Sequence, residues 1–116
     1  MHDIARPMPK PTAQVAPYVD ALGPEAAVLF LLAYGGAELY MAHDPKGRAS
    51  HAALLDKDQA KALAAVAHRL PKRVPLAKQW LARMLHWQGQ SAASIARTLR
   101  ASDVSVRKWL KAGESD

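Results

Sequence analysis

Five large apolar residues in a row, Val28-Leu29-Phe30-Leu31-Leu32, lie in a segment bounded by Gly23-Pro24 on one side and Gly35-Gly36 on the other. Proline suits the first position of a helix and glycine its end, so the segment predicts a helix over Pro24–Tyr34. That helix has no polar face and must be covered on every side. In a chain of 116 residues the cover is either the rest of a monomeric core or a second copy of the chain. The expectation is a homodimer, with Val28, Leu29, Phe30, Leu31 and Leu32 in its interface and Leu39 and Tyr40 beside them.

The flanking segments follow from local signals. Pro7, Pro9, Pro11 and Pro17 each remove a backbone donor and disfavour helix just before them, which predicts a disordered arm over residues 1–12. Thr12 opens a short helix with Val15, Tyr18, Val19 and Leu22 on one face. After Gly35-Gly36, Glu38-Leu39-Tyr40-Met41 reads as a short strand, and His43–Ser50 as a polar loop. Helical spacing returns from Leu54 to Leu70, capped by Asp56 with Asp58 in the first turn, and closes at Pro71. A weak repeat runs through this region. Each unit leads from a helix into an extended segment, Leu39-Tyr40-Met41 and then Arg73-Val74-Pro75, about 33 residues apart.

The net charge of +6 is unevenly spread. Residues 1–68 hold six Lys/Arg against seven Asp/Glu, whereas residues 69–116 hold ten against three. A basic part joined to a near-neutral one fits a polyanion-binding module carried by a second region. A solvated basic surface is the plainer reading, and charge alone does not choose between them.

Spacing in the basic part does choose. Leu76, Trp80, Leu81, Met84 and Leu85 share one stripe of a helix running to Trp87, which Gly89 ends. Ser91 caps a helix to Leu99, Arg100-Ala101 makes a tight turn, and Ser102 caps a last helix over Asp103–Lys111. Ile95 and Leu99 face Val106 and Trp109, with Ala96 small at the close approach. This pattern resembles the helix-turn-helix superfamily over residues 89–111, although Arg100 stands where such turns often carry glycine. The alternative is an ordinary three-helix bundle.

A recognition helix presents its first residues to base edges in the major groove. Here these are Asp103, Val104, Ser105, Arg107 and Lys108, with Arg107 suited to guanine and Ser105 to a base or a phosphate. Asp103 either extends the cap or accepts from cytosine. Lys72, Arg73, Lys78, Arg97, Arg100 and Lys111 are the expected phosphate contacts.

Residues 18–111 as a whole are similar to the Mor transcription activator family of transposable phages and prophages. The similarity rests on the apolar helix ending in Gly35-Gly36, the Glu38–Met41 segment and the terminal helix-turn-helix. It implies an intertwined N-terminal dimer through Val28–Leu32, and DNA binding at a promoter through Ser102–Lys111, with RNA polymerase as a partner. Two features depart from the family: Ala42 stands where a proline often follows the strand, and the Leu54–Leu70 helix lengthens the gap to the DNA-binding motif. The expected architecture is mostly α. It comprises a helical dimerisation region over 13–70 with a short strand, and a three-helix DNA-binding domain over 75–112.

Other functions find less support in the residues. His2, His43, His51, His68 and His86 are scattered, with no pair at metal-ligand spacing beside a carboxylate. There is no cysteine, no phosphate-binding glycine loop and no nucleophile elbow, so the expectation is a non-enzyme without cofactor or metal. Ala26–Tyr34 is far shorter than the ~20 residues that span a bilayer. With no apolar signal core, a cytoplasmic protein off the membrane is expected. A phage DNA-packaging protein resembling a small terminase subunit is the alternative to a regulator, and an antitoxin-like module a further one.

Overall fold

The computed structural model describes residues 7–39 and 55–114, and among them the chain is mostly α-helical, with six helices. It divides into two compact units. Pro11–Ala77 form the N-terminal unit, and Lys78–Asp116 with the residues up to Lys10 form the C-terminal unit.

In the N-terminal unit, the Thr12 carbonyl accepts the Val15 and Ala16 N–H groups at 3.0 and 2.9 Å, which turns the chain into α1 (Ala16–Leu22). Gly23 separates α1 from α2 (Pro24–Tyr34), and α1 packs against both α2 and α3 (Lys57–Val66). Val15, Tyr18 and Leu22 meet Ala27, Val28, Phe30, Leu31 and Leu63 in the buried core of this unit. The Tyr18 ring stacks on Phe30 with centroids 5.9 Å apart, and Phe30 meets Tyr34 at 5.1 Å.

This packing corrects the sequence argument for α2. Val28, Phe30 and Leu31, expected at a dimer interface, are buried by the chain's own helices, as is Leu39. Leu32 is partly buried, and Leu29 is 52 % exposed. Tyr40 and Met41, together with the expected 43–50 loop, lie outside the described residues.

Asp56 caps α3 as expected. Its carboxylate accepts the Gln59 N–H at 2.7 Å, while Gln59 Oε1 accepts the Asp56 N–H at 3.0 Å, a reciprocal capping box. Gln59 Nε2 also donates to the Leu22 carbonyl at 3.0 Å and ties α3 to the end of α1. The helix is shorter than the expected Leu54–Leu70. The cap fixes its start at Lys57, and its end tightens into a 3-10 turn over Ala67–Arg69. Leu70 must be extended because Pro71 follows, and it is, at φ −98° and ψ 153°.

The expected strand at Glu38–Met41 is not present as a strand among the described residues. Glu38 makes an isolated antiparallel bridge with Arg73, while Tyr40 and Met41 lie outside the described residues. The pairing runs through Gly36 N–H to the Val74 carbonyl at 2.7 Å, Val74 N–H to Ala37 at 2.8 Å, and Leu39 N–H to Lys72 at 2.6 Å. Pro71 and Pro75 flank the partner segment and have no N–H to give to such a ladder. The second extended segment of the weak repeat thus pairs with the residues that lead into the first.

Gly35-Gly36 makes this crossing possible. A Cβ on Gly35 would lie 2.8 Å from the Leu31 carbonyl and 3.3 Å from both Leu76 Cα and the Pro75 carbonyl, and Gly36 has φ +89°. Arg73 secures the same place, its guanidinium donating to the Gly36 carbonyl at 3.0 Å.

The C-terminal unit consists of α4 (Lys78–Trp87), α5 (Ala92–Leu99) and α6 (Asp103–Glu114), each packed on the other two. Trp80, Leu81, Ala82, Met84 and Leu85 of α4 meet Ile95, Leu99 and Val106 in its core. Leu76, expected on the α4 stripe, instead precedes the helix and is 55 % exposed, and Ala77 has φ 53°. Part of the expected arm also belongs here: the Trp80 indole N–H donates to the Pro9 carbonyl at 3.4 Å. Among the described residues no helix is long and apolar enough to cross a membrane.

Candidate nucleic-acid interface

Two local devices shape the connections of the C-terminal unit. After α4, the Gln90 N–H reaches back to the Leu85 carbonyl at 3.0 Å and Gly89 N–H to His86 at 2.9 Å, with Gly89 at φ +107°. After α5 the same pair of bonds recurs, Ala101 N–H to Ala96 at 3.0 Å and Arg100 N–H to Arg97 at 3.4 Å. Both are Schellman terminations, which want a left-handed residue just past the helix. Glycine fills that place in the first. Arg100 fills it in the second, at φ 54° and ψ 47°.

A non-glycine residue held left-handed costs about 1–2 kcal/mol. Arg100→Gly is therefore expected to stabilise the C-terminal unit by about 1 kcal/mol, after allowing for the extra freedom glycine gains in the unfolded chain. Trp80, Trp87 and Trp109 all lie in this unit, so chemical denaturation followed by tryptophan fluorescence reads it directly. An unchanged or lower midpoint would show that Arg100 makes compensating contacts.

Serine begins both of the last helices. The Ser91 hydroxyl accepts the Ser94 N–H at 3.2 Å, and the Ser102 hydroxyl accepts the Ser105 N–H at 3.1 Å. Ser102 also donates to the Ser105 hydroxyl at 3.0 Å, so Ser105, an expected base contact, is partly buried and engaged in the cap. The Asp103 carboxylate pairs with Arg107 one turn later, at 3.2 Å, and both side chains are exposed.

The burial pattern gives α6 two faces. Val106 points into the core, with Trp109 and Leu110 partly buried beside it. Asp103, Arg107 and Lys111 form one exposed row at i, i+4, i+8, and Val104 with Lys108 forms the next. Arg97, on the side of α5 away from Ile95 and Leu99, and Arg100 in the turn are exposed as well. This one unit thus carries Arg97, Arg100, Arg107, Lys108 and Lys111, all exposed, on α5, the turn and α6. Lys78 is partly buried at the start of α4. Lys72 and Arg73 are exposed in the N-terminal unit, where Arg73 is already bonded to Gly36.

Two contacts of this unit were not expected from the sequence. Arg83 Nε donates to the Trp109 carbonyl at 3.2 Å and joins α4 to α6 across 26 residues, and no local pattern foretells it. The Asp103–Arg107 pair had a signal in its i, i+4 spacing.

Among the described residues no three His, Asp or Glu side chains stand close enough to hold a metal ion. The N-terminal unit has an open cleft of about 560 Å³ between α1 and α3, lined mainly by Pro17, Ala21, Ala62, Ala65 and Val66 with Asp20 and Arg69. Comparison with protein-family models, curated proteins and solved structures gives no match to this chain.

Proposed function

We propose that the protein is a sequence-specific double-stranded-DNA-binding transcriptional regulator, and that α5, the Arg100–Ser102 turn and α6 act as a helix-turn-helix. One observation carries this reading: α6 turns Val106 inward and sets Val104, Arg107, Lys108 and Lys111 outward, in a unit where Arg97 and Arg100 are exposed as well. A helix of this kind lies in the major groove, reading bases from its N-terminal half while the preceding helix crosses the backbone. Arg107 offers a two-pronged fork to guanine O6 and N7. Arg97, Arg100 and Lys111 meet phosphates, which set position without reading sequence.

The reading includes a homodimer, because two such units span the half-sites of a palindromic operator. Leu29 is the large α2 side chain left outside the chain's own core, and it is the natural contact for a second copy. The Mor-like order of an apolar helix, Gly-Gly and a terminal helix pair favours activation at a promoter, through RNA polymerase, over DNA packaging.

Selection of bound duplexes from a random pool, followed by salt titration, tests the proposal. Log affinity is expected to fall with log salt at about −0.9 per phosphate neutralised, which for roughly three contacts in each half of a dimer gives a slope near −5. Arg100→Gly, stabilising for the fold, is expected to reduce that slope by about one per site. A pool that yields no preferred sequence, or binding indifferent to salt, would overturn the reading.

A further inference from the structure

Val104 is 75 % exposed, more than any other large apolar residue among those described, and it stands on the outward face of α6. Its neighbours one turn on are Arg107 and Lys108, and the ionic pair Asp103–Arg107 runs alongside it. The core does not use it, since Val106 fills that role from the opposite side. Local structure does not favour it either. Valine is a poor helix former at an exposed position, where alanine or a straight-chain polar residue would serve the helix better. A branched apolar side chain held in water amid cations, on the face proposed to enter the groove, matches one chemical feature of the major groove. That feature is the 5-methyl group of thymine, the apolar landmark there among hydrogen-bonding edges.

We infer that Val104 is a specificity-determining residue that packs on the 5-methyl of a thymine in each half-site. This thymine lies within one base step of the guanine taken by Arg107. The two side chains are three residues apart, about 5–6 Å between Cβ atoms, which suits neighbouring bases. The inference rests on the DNA-binding reading and deepens it by naming what the site recognises.

The test uses the full chain and the duplex selected as above. Deoxyuridine replaces each thymine in turn, which deletes the methyl and leaves base pairing intact. Wild-type protein is expected to lose about fourfold in affinity at one thymine per half-site, the worth of one buried methyl group. Val104→Ala, which helix propensity favours, should bind the thymine and uracil duplexes equally and match wild-type protein on uracil. That thymine should adjoin the position whose preference Arg107→Ala relaxes.

Wild-type insensitivity at every thymine, or an unchanged methyl penalty in Val104→Ala, would overturn the inference. Either result leaves salt-dependent, sequence-selective binding of the parent duplex standing. Loss of that parent binding would instead remove the DNA-binding reading itself. A Val104→Ala protein unaltered on all duplexes would assign the exposed valine to some other surface and likewise defeat the inference.

Discussion

Replacing Leu31 with aspartate is expected to unfold the N-terminal unit, whatever the oligomeric state of the protein. Leu31 is 2 % exposed, set with Val28 and Phe30 in the core shared with α1. The substitution forfeits about 1.5–3 kcal/mol of apolar burial. It also places a carboxyl group among apolar core side chains, at a further cost of several kcal/mol for its charged form. The whole stability of a small domain is typically only about 5–15 kcal/mol, so little or none would remain.

Leu29→Asp makes the same chemical change two residues away with a different expected result. Leu29 is 52 % exposed, and a surface change of this kind usually shifts stability by less than about 0.5 kcal/mol. If α2 meets a second copy through Leu29, this variant lowers the measured mass towards the monomer without loss of helix. Far-UV circular dichroism in urea, paired with sedimentation equilibrium, reads both quantities. A folded Leu31→Asp protein would refute the packing of α2. A Leu29→Asp protein that self-associates as the wild type does would move the dimer contact elsewhere.

Arg107→Ala and Arg97→Ala are expected to weaken DNA binding in different ways, although each removes one exposed arginine. Arg107 sits one turn into α6, exposed and about 100° around the helix from Val106, and Asp103 holds one end of its guanidinium at 3.2 Å. That pairing orients the fork while leaving its other donors for a base edge. Loss of a bidentate guanine contact costs about 1–3 kcal/mol, roughly five- to 150-fold in affinity, and relaxes preference at one position of each half-site. Arg97 lies on the outer side of α5. Its loss should weaken all sequences about equally and flatten the salt slope by about one per site. One selected duplex, one scrambled duplex and two salt concentrations separate the cases. An unchanged ratio of specific to non-specific affinity in Arg107→Ala would take α6 out of the groove.

The features legible in the sequence are those whose causes lie within about five residues. Asp56 and Gln59, Ser91 and Ser94, and Ser102 and Ser105 close their caps over three residues. Gly89 and Arg100 end their helices through bonds to carbonyls three and five residues back. The predominantly helical class, the limits of α2 and the outward set of α6 all follow from such short-range chemistry. A helical period also tells which residues oppose Val106 without any knowledge of the rest of the chain.

Tertiary structure alone decided what covers the apolar surfaces. An all-apolar stripe over Val28–Leu32 states that burial is required and not by which atoms. Tyr18 and its neighbours on α1 supply cover for α2 from within the same chain, the Tyr18 ring lying on Phe30. The segment after Gly35 depended likewise on its partner: Gly36, Ala37 and Leu39 bond to Lys72 and Val74, which lie between two prolines. Trp80 with Pro9, Gln59 with Leu22 and Arg83 with Trp109 are bonds across 71, 37 and 26 residues. Burial is non-directional and a hydrogen bond accepts any well-placed carbonyl. The choice among distant partners therefore rests on the packing of the whole unit, which local sequence does not encode.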